Sequence, residues 1–588
     1  PDVEGMVQGL PGPRRRGTAV WAAGCVGGGP LANVHRADEL ALAGEFLLTD
    51  CAALTAELGL PSDARPSDAE LILAAYRRWG EQLAQRLEGD FSFALWDSRR
   101  RRLLCARDAL GVKPFYYHLA ARTMAFGSDG AAVLCLPEVP RRLDDAALAS
   151  YLMASFRDRV ATGYLDVSRL APGEVLLVDA DRATSRPYWS AGAVGEVRRG
   201  ADAAYEEAFR DAITKAVAAR IGLGPVGVSL SGGLDSSALA CVAGRLGPPS
   251  LHAYSAVFDE ASESDERAWV AAAVAQCGAV ARPCRAAGTS PLADWAGASW
   301  KGAMPACNPQ ISVCRVTLEA AALDAVPVVL HGFGGDSCVS HGLAYLAELV
   351  GSGRVVRAGA EIEALHRRHG IARRRVLRSY AISPFVPARA RRAWRARSRP
   401  AGGPPQLLRP AATDRLGLAD REEALGARSA RRDHAADVGA GIHAHVLEAS
   451  DRVDAVVGVQ RRYPFFDRRL VELCLSMPGD QKLRDGWTRS IMRRALTGVL
   501  PEEIRQRAGK GNLGPPFIHA LQTTDRAAIE AVVARPGALA EWVDPAALAE
   551  LWRRCLAGGG DRDWFAIWRV AVASRWLIHH GFDEVPRS

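Results

Sequence analysis

Lysine is the scarcest charge in this sequence. Only Lys113, Lys215, Lys301, Lys482 and Lys510 occur among 588 residues, so a lysine here is a poor candidate for mere surface filler. The twelve cysteines form no C-x-x-C pair, which argues against a zinc site or a disulfide framework and suits free thiols in a reducing compartment. No run of 18 apolar residues is free of charge, so a membrane-spanning helix and a membrane partner are not expected. The first residues, Pro1-Asp2-Val3-Glu4-Gly5, lack the basic-then-apolar pattern of a secretory signal. Together these absences lead to the expectation of a cytoplasmic protein. A hydrophobic content of 48% suffices for packed cores, and the length suits two to four domains at roughly 100–200 residues each.

The net charge of +8 is unevenly spread. Between Gly351 and Asp437 stand 20 Arg, no Lys and 8 Asp or Glu, an excess of twelve positive charges that leaves the rest of the chain at about −4. Aromatic residues are not interleaved with these arginines as in single-strand binders, so a solvated helical face is favoured and no nucleic-acid partner is expected.

Two halves are visible. Residues 1–195 read as sheets with a few helices: Ala41–Leu48, Phe91–Asp97, Arg102–Arg107, Thr123–Gly127 and Glu174–Asp179 as strands, Leu71–Arg86 as a helix. Ser190–Gly200 reads as a linker. From residue 201 to 588 the pattern alternates. Strands are expected at Val226–Leu230, His252–Phe258 and Val326–His331, with helices at Ala203–Ala219, Asp235–Arg245 and Glu266–Gln276. Such alternation predicts an α/β, doubly wound parallel sheet whose ligands bind at the carboxyl ends of its strands. Beyond Gly342 a helical part is expected, interrupted by a loop at Ser398–Gln406.

The strongest signal is Gly227-Val-Ser-Leu-Ser-Gly-Gly-Leu-Asp-Ser-Ser237. An apolar strand runs into two glycines and a helix begins at about Asp235. Glycines let backbone N–H groups approach an anion, the helix start adds partial positive charge, and Ser231, Ser236 and Ser237 offer hydroxyls. Asp235 does not favour a bare phosphate, so a bridging Mg²⁺ is expected. The Gly-Lys-Ser/Thr ending of a Walker A loop is absent.

This loop resembles the pyrophosphate loop of ATP pyrophosphatases. Within that superfamily the chain resembles asparagine synthetases and their relatives over nearly its whole length. Leu87–Asp97 (LEGDFSFALWD) and Ala106–Tyr117 (ARDALGVKPFYY) match their N-terminal domain; Arg462–Asp467 (RYPFFD) and Lys482–Arg493 (KLRDGWTRSIMR) match the second half. The resemblance implies an Ntn-type, glutamine amidotransferase-like α+β domain followed by an ATP pyrophosphatase domain. It implies ATP as cofactor, gripped by Ser231, Gly232, Gly233, Asp235, Ser236 and Ser237. It places Leu230, Ala256 and Val257 beside adenine and ribose and His331 and Gly332 beside the nucleotide. It makes Asp336 the second Mg²⁺-binding acid, with a helix N-cap as the alternative for that residue. It makes Lys510, within Arg505–Leu513, an essential lysine that stabilises negative charge. Asp235, Asp336 and Lys510 are therefore the expected catalytic residues.

The sequence also departs from asparagine synthetase. Glutamine-dependent relatives use an N-terminal cysteine; residue 1 here is Pro and the first cysteine is Cys25. The family's Asn-Gly-Glu appears as Ala43-Gly44-Glu45, and its Arg-Gly-Pro-Asp motif has no counterpart. Glutaminase chemistry is expected to be absent, with the domain kept as a scaffold. Phe333 stands where asparagine synthetases carry Glu and β-lactam synthetases Tyr. Phe takes no proton, so the base for an amine nucleophile must lie elsewhere; Glu361 and Glu363 stand at a comparable distance downstream. His331-Gly-Phe-Gly-Gly-Asp-Ser337 and Asp485-Gly-Trp-Thr-Arg489 look most like lasso peptide cyclases. That resemblance implies adenylation of an Asp or Glu side chain in a leaderless precursor peptide and attack by its own α-amine. It also implies a leader-peptide-binding protein and a leader peptidase as partners. A small-molecule amide ligase and a non-catalytic nucleotide-binding scaffold are the alternatives; retained Asp235, Asp336 and Lys510 count against the scaffold. A thiolase acting on RNA is disfavoured by the missing C-x-x-C pair.

Overall fold

A computed structural model describes residues 34–582, except 62, 64, 122, 260–263, 294–300, 388–389, 391–406, 411, 413–415, 417–427 and 510. The loop expected at Ser398–Gln406 and Lys510 lie outside the described residues. The chain divides into two compact units, Pro1–Arg141 with Asp166–Ser190, and Arg142–Leu165 with Ala191–Ser588. Arg142–Leu165 thus groups with the second unit, where the Tyr151 hydroxyl donates to the Ala306 carbonyl at 2.8 Å.

The first unit is built on an antiparallel six-stranded sheet. Its order is His35–Ala37, Leu40–Leu48, Gly89–Asp97, Arg102–Arg107, Glu174–Val178 and Ala183–Pro187. One face packs on the helix Asp68–Trp79, whose Leu71, Ile72, Ala75 and Tyr76 are buried. That helix starts where it does because Ser67 and Glu70 form a capping box, each side chain satisfying the other's backbone N–H. The opposite face, with Ala94, Leu103, Cys105 and Leu176, packs on Phe115, Tyr117, Met124, Phe126 and Leu170. These come largely from a second sheet of Met124–Gly127, Tyr116–Leu119 and Ser168–Arg169. Alternate residues along the central strands thus serve two apolar layers.

The second unit holds a five-stranded parallel sheet in the order Val280–Arg285, Leu251–Val257, Val226–Ser229, Val328–His331 and Gln460–Arg462. The chain starts at the middle strand, Val226–Ser229, moves outward through 251–257 and 280–285, and returns on the other side at 328–331. The topological switch therefore falls between Val226–Ser229 and Val328–His331, the place where sheets of this kind bind their ligands. Val226, Val228, Val329 and Leu330 are buried, as a sheet covered on both faces requires. The helices Asp202–Ile221 and Leu234–Leu246 and the pair Ile311–Leu323 and Gly441–Val457 pack around it. The chain is mainly helical thereafter, ending in Asp561–His579, whose Trp564, Trp568 and Trp576 are buried. No helix among the described residues is long and apolar enough to cross a membrane.

Candidate active site

The two loops at the switch point form the candidate site. Leu230 is buried, and its N–H donates to the Tyr254 carbonyl at 2.9 Å, continuing the ladder one residue past the strand. The chain then turns through Gly232, at φ +68°, where a Cβ would lie 2.6 Å from the Trp269 Cβ. Only glycine meets both the backbone angle and that approach. The loop is braced from within: the Ser236 hydroxyl receives the Ser231 N–H at 3.2 Å and lies 3.1 Å from the Ser231 hydroxyl. Gly233 caps the helix Leu234–Leu246 without a side chain, so the N-cap itself offers no side-chain oxygen to the first-turn N–H groups. Ser237 is fully buried and its hydroxyl has no hydrogen-bond partner.

The loop after Val328–His331 lies against this one. A Cβ on Gly332 would meet the Ser236 backbone N at 3.0 Å, and one on Gly335 would meet the Asp235 carboxyl carbon at 2.5 Å. The glycines of Gly332-Phe-Gly-Gly-Asp336 thus let the second loop seat on the first. Gly334, not Asp336, occupies the N-cap of the short helix Gly335–Val339, so the capping alternative for Asp336 does not hold. The carboxylates of Asp235 and Asp336 converge on one atom, the Arg489 Nη1, at 2.6 Å each. Arg489 has a left-handed backbone (φ +52°) at the start of the helix Ser490–Ala495. Non-glycine residues in that region cluster at functional sites because only a specific contact set offsets their strain. Burial opposes the Arg489 charge, but Asp235 and then Asp336 outweigh it and raise its pKa.

Ala256 and Val257 end the neighbouring strand, half-buried. Ala256 packs with Phe258, Ala286, Val313 and Leu513. His331 sits at the strand end opposite Ser229. Burial, with the Arg461 charge second, lowers its pKa to about 3, so the ring is neutral near pH 7; its Nδ1 accepts the Phe333 N–H at 3.1 Å. The loop that contains position 510 is tied to the phosphate loop through its described residues. Arg507 donates to the Gly232 carbonyl at 3.1 Å and to the Glu266 carboxylate at 2.5 Å, and lies over the Trp269 ring at 4.7 Å. The same Glu266 oxygen accepts the Gly511 N–H at 2.7 Å. Ser264 donates to the Asn512 carbonyl at 2.6 Å.

Neither downstream glutamate is available as a base. The buried Glu361 carboxylate accepts the N–H groups of Asp485 (3.1 Å) and Gly486 (2.9 Å) in the turn joining Leu483–Arg484 to Trp487–Thr488. Glu363 is half-buried and paired with Arg373. Both turn residues have positive φ, as the favoured Asp-Gly hairpin turn requires. The Phe333 ring stands 5.6 Å from Phe466, 5.8 Å from His443 and 6.4 Å from Tyr463; those three are buried, and Phe333 alone of the cluster is partly exposed.

Reasoning from sequence did not single out Arg489, Arg507 or Glu266. The first two lie inside motifs it noted, Asp485–Arg489 and Arg505–Leu513. Glu266 carries no signal of its own, because its partners are brought in from 241 and 245 residues away.

In the first unit, Ala43 pairs with Ala94 in the sheet and Gly44 presses on the Ser92 carbonyl, which a Cβ would approach to 2.3 Å. Glu45 is ion-paired to buried Lys113. Arg107 donates to the carbonyls of Lys113, Leu170 and Gly111, and Asp108 accepts the N–H groups of Leu110, Val112 and Lys113. The charges of Ala106–Tyr117 are thus spent on holding a loop.

Comparison with known proteins agrees with this architecture. Residues 208–578 match the asparagine synthase family and residues 26–189 match the glutamine amidotransferase domain family. The chain belongs to the asparagine synthase family, and it is an ATP-dependent amide ligase of that type, with a mixed α/β fold. It is 26% identical over 474 residues to "Asparagine synthetase [glutamine-hydrolyzing] 3" of Bacillus subtilis, covering 75% of this chain and 70% of that protein. It is 26% identical over 471 residues to "Asparagine synthetase [glutamine-hydrolyzing] 1" of the same organism, covering 76% and 71%. It is 30% identical over 219 residues to "Amidase chry2" of Gibberella zeae, covering 34% and 32%.

Proposed function

We propose that this ligase is a lasso peptide cyclase: it closes a macrolactam within a leaderless precursor peptide. The observation that carries the reading is Phe333, an apolar ring held against Phe466, His443 and Tyr463 at the position where the asparagine synthetases it resembles carry Glu. A site built for aspartate and ammonia gains nothing from a partly exposed aromatic ring there, whereas a peptide side chain packs on one. Ala43, in place of the oxyanion-binding Asn, supports a nucleophile that does not come from glutamine.

In this reading the carboxylate oxygen of an Asp or Glu side chain attacks the α-phosphorus of ATP and expels pyrophosphate. The peptide's α-amine then attacks the acyl carbon and expels AMP. The helix start at Leu234–Ser236 and the Ser231 and Ser236 hydroxyls hold the leaving pyrophosphate; the Ser237 hydroxyl, expected beside them, is fully buried and does not reach it. Leu230, Ala256, Val257, His331 and Gly332 border the nucleotide. Asp235 and Asp336 would hold Mg²⁺, since both offer hard oxygen ligands and converge on one cationic nitrogen, and the ion would supply positive charge to the phosphates. Lys510 supplies positive charge to the phosphates and the tetrahedral intermediate. The first unit serves as scaffold. A leader-peptide-binding protein and a leader peptidase deliver the substrate.

The test is incubation with ATP, Mg²⁺ and candidate leaderless peptides. AMP release with loss of one water from the peptide mass supports cyclisation. Turnover of aspartate with ammonia, and none with peptides, makes the chain an asparagine synthetase instead. ADP release removes the adenylation mechanism.

A further inference from the structure

The contacts between the phosphate loop and the segment Arg505–Leu513 converge on Glu266 and Arg507. We propose that these two are positioning residues of the ligase. They fix the Gly232–Gly233 peptide so that the Gly233 N–H faces the anion, and they hold the chain on both sides of position 510 against the phosphate loop. Their role rests on the reading that this loop grips pyrophosphate; it does not depend on which carboxylate and amine the ligase joins.

Arg507 is not placed to bind phosphate itself. Its side chain is 12% exposed, and its nitrogens already serve the Gly232 carbonyl at 3.1 Å and the Glu266 carboxylate at 2.5 Å. The guanidinium also lies over the Trp269 ring at 4.7 Å, and its charge is matched by Glu266. What Arg507 determines is direction. In a planar trans peptide the carbonyl and the following N–H point opposite ways. Holding the Gly232 carbonyl therefore turns the Gly233 N–H away from Arg507, and no backbone carbonyl among the described residues accepts that N–H. A glycine on each side leaves this peptide plane free to turn, so an outside contact must set it.

Glu266 does the second part. One of its oxygens takes both Arg507 and the Gly511 N–H, so the chain on either side of position 510 is tied to a single carboxylate. Two glycines make the approach possible: a Cβ on Gly511 would lie 2.4 Å from the Glu266 carboxyl carbon, and one on Gly232 would lie 2.6 Å from the Trp269 Cβ. The backbone of Arg507 is fixed in turn by the buried Arg493, which donates to the Arg507 carbonyl at 3.0 Å, to the Thr488 carbonyl at 3.2 Å and to the Arg505 carbonyl. Thr488 directly precedes Arg489. The same guanidinium therefore joins the strand end that carries the acid-bridging arginine to the segment around position 510, and Arg507 carries that connection to the phosphate loop.

The test is calorimetric titration of inorganic pyrophosphate with Mg²⁺ into the full chain and two variants, with folding checked by circular dichroism. Arg507→Met keeps an apolar stem over Trp269 and removes the donors. Glu266→Gln keeps the side-chain shape and removes one negative charge. Each variant is expected to weaken pyrophosphate binding by about tenfold, the scale of one charge-assisted hydrogen bond, and either serves if the other does not fold. The Glu266 variant gives the role its sign. If the two side chains acted through charge alone, removing an anion beside the phosphate loop would tighten binding; if they only supported the fold, the folded variant would bind as the wild type does. Unchanged or tighter binding by folded Glu266→Gln, or unchanged binding by folded Arg507→Met, overturns the positioning role and leaves the loop's grip on pyrophosphate standing. A wild type that binds no pyrophosphate overturns both.

Discussion

Arg489 and Asp336 meet at 2.6 Å through the same Nη1 that holds Asp235 at 2.6 Å, so one guanidinium nitrogen bridges both acids of the site and sets a single positive charge against two negative ones. The Arg489 side chain is only 11% exposed, so the contact is not a screened surface pair. Removing the cation leaves two carboxylates facing each other. Arg489→Ala is expected to cost the nucleotide-free protein about 3 kcal/mol. Because Mg²⁺ is proposed for the same two acids, the ion should raise the melting temperature of the variant more than that of the wild type. Thermal melts with and without Mg²⁺ check this, and equal melting of the two proteins without Mg²⁺ counts against the bridging role.

The roles of Asp235, Asp336 and Lys510 are separable from stability. Asp235→Asn and Asp336→Asn keep the shape of each side chain but remove the negative charge offered to a cation. AMP formation should fall by about 10²-fold or more in each, with circular dichroism unchanged. Lys510→Ala should do the same. Near-normal AMP release by any folded member of this set removes that residue from the proposed machinery.

Much of the site was legible because it is local. The strand, double glycine, acid and paired serines occupy Gly227–Ser237, and the strand observed at Val226–Ser229 and helix at Leu234–Leu246 flank the turn as the residue types require. Elements with a weak local pattern were not legible. Val280–Arg285 is almost wholly exposed and contains Pro283, which the sheet tolerates because this strand forms its edge. Gln460–Arg462 is three residues of polar chain at the other edge, and only its register with Val328–Leu330 makes it a strand. The Arg489 bridge was hidden for another reason. It joins residues 254 apart, and no periodicity reports a contact across that distance. Glu361 illustrates the same limit: spacing offered it as a base, but two backbone donors 124 and 125 residues on had claimed it.

That commitment of Glu361 makes a prediction about the hairpin. Its two oxygens satisfy the N–H groups of a turn in which Asp485 and Gly486 both have positive φ, and the turn leads through Trp487 and Thr488 directly to Arg489. Trp487 is itself held between the guanidinium groups of Arg368 (4.4 Å) and Arg493 (4.5 Å). Glu361→Ala leaves two amide donors near buried chain without an acceptor, at a cost of about 2 kcal/mol. Urea denaturation should show that loss. Glu361→Gln retains one acceptor oxygen, so it should recover part of the stability. Activity lost in the Gln variant without any loss of stability would instead argue that Glu361 is a base.

A buried lysine gives the last prediction a sign. Lys482 is fully buried; it donates to His434 Nδ1 at 3.0 Å, and His434 Nε2 donates to the Cys338 carbonyl at 3.1 Å. Burial lowers the Lys482 pKa to about 8, while Cys474, Glu348 and Glu196 pull the other way and Arg431 adds to the fall. Burial and then Lys482 hold His434 well below the ordinary imidazole range, so it is the neutral relay this geometry needs. The unfolded lysine binds its proton up to about pH 10.4, so between about pH 8 and that value the unfolded state holds more protons. Stability should therefore rise with pH across this window as far as Lys482 is concerned. Lys482→Met removes the titration and keeps most of the volume. The difference in unfolding free energy between wild type and Lys482→Met, measured from pH 7 to 10.5, should move in favour of the wild type as pH rises. A difference that stays flat or moves toward the variant would mean that Lys482 stays charged in the folded chain throughout.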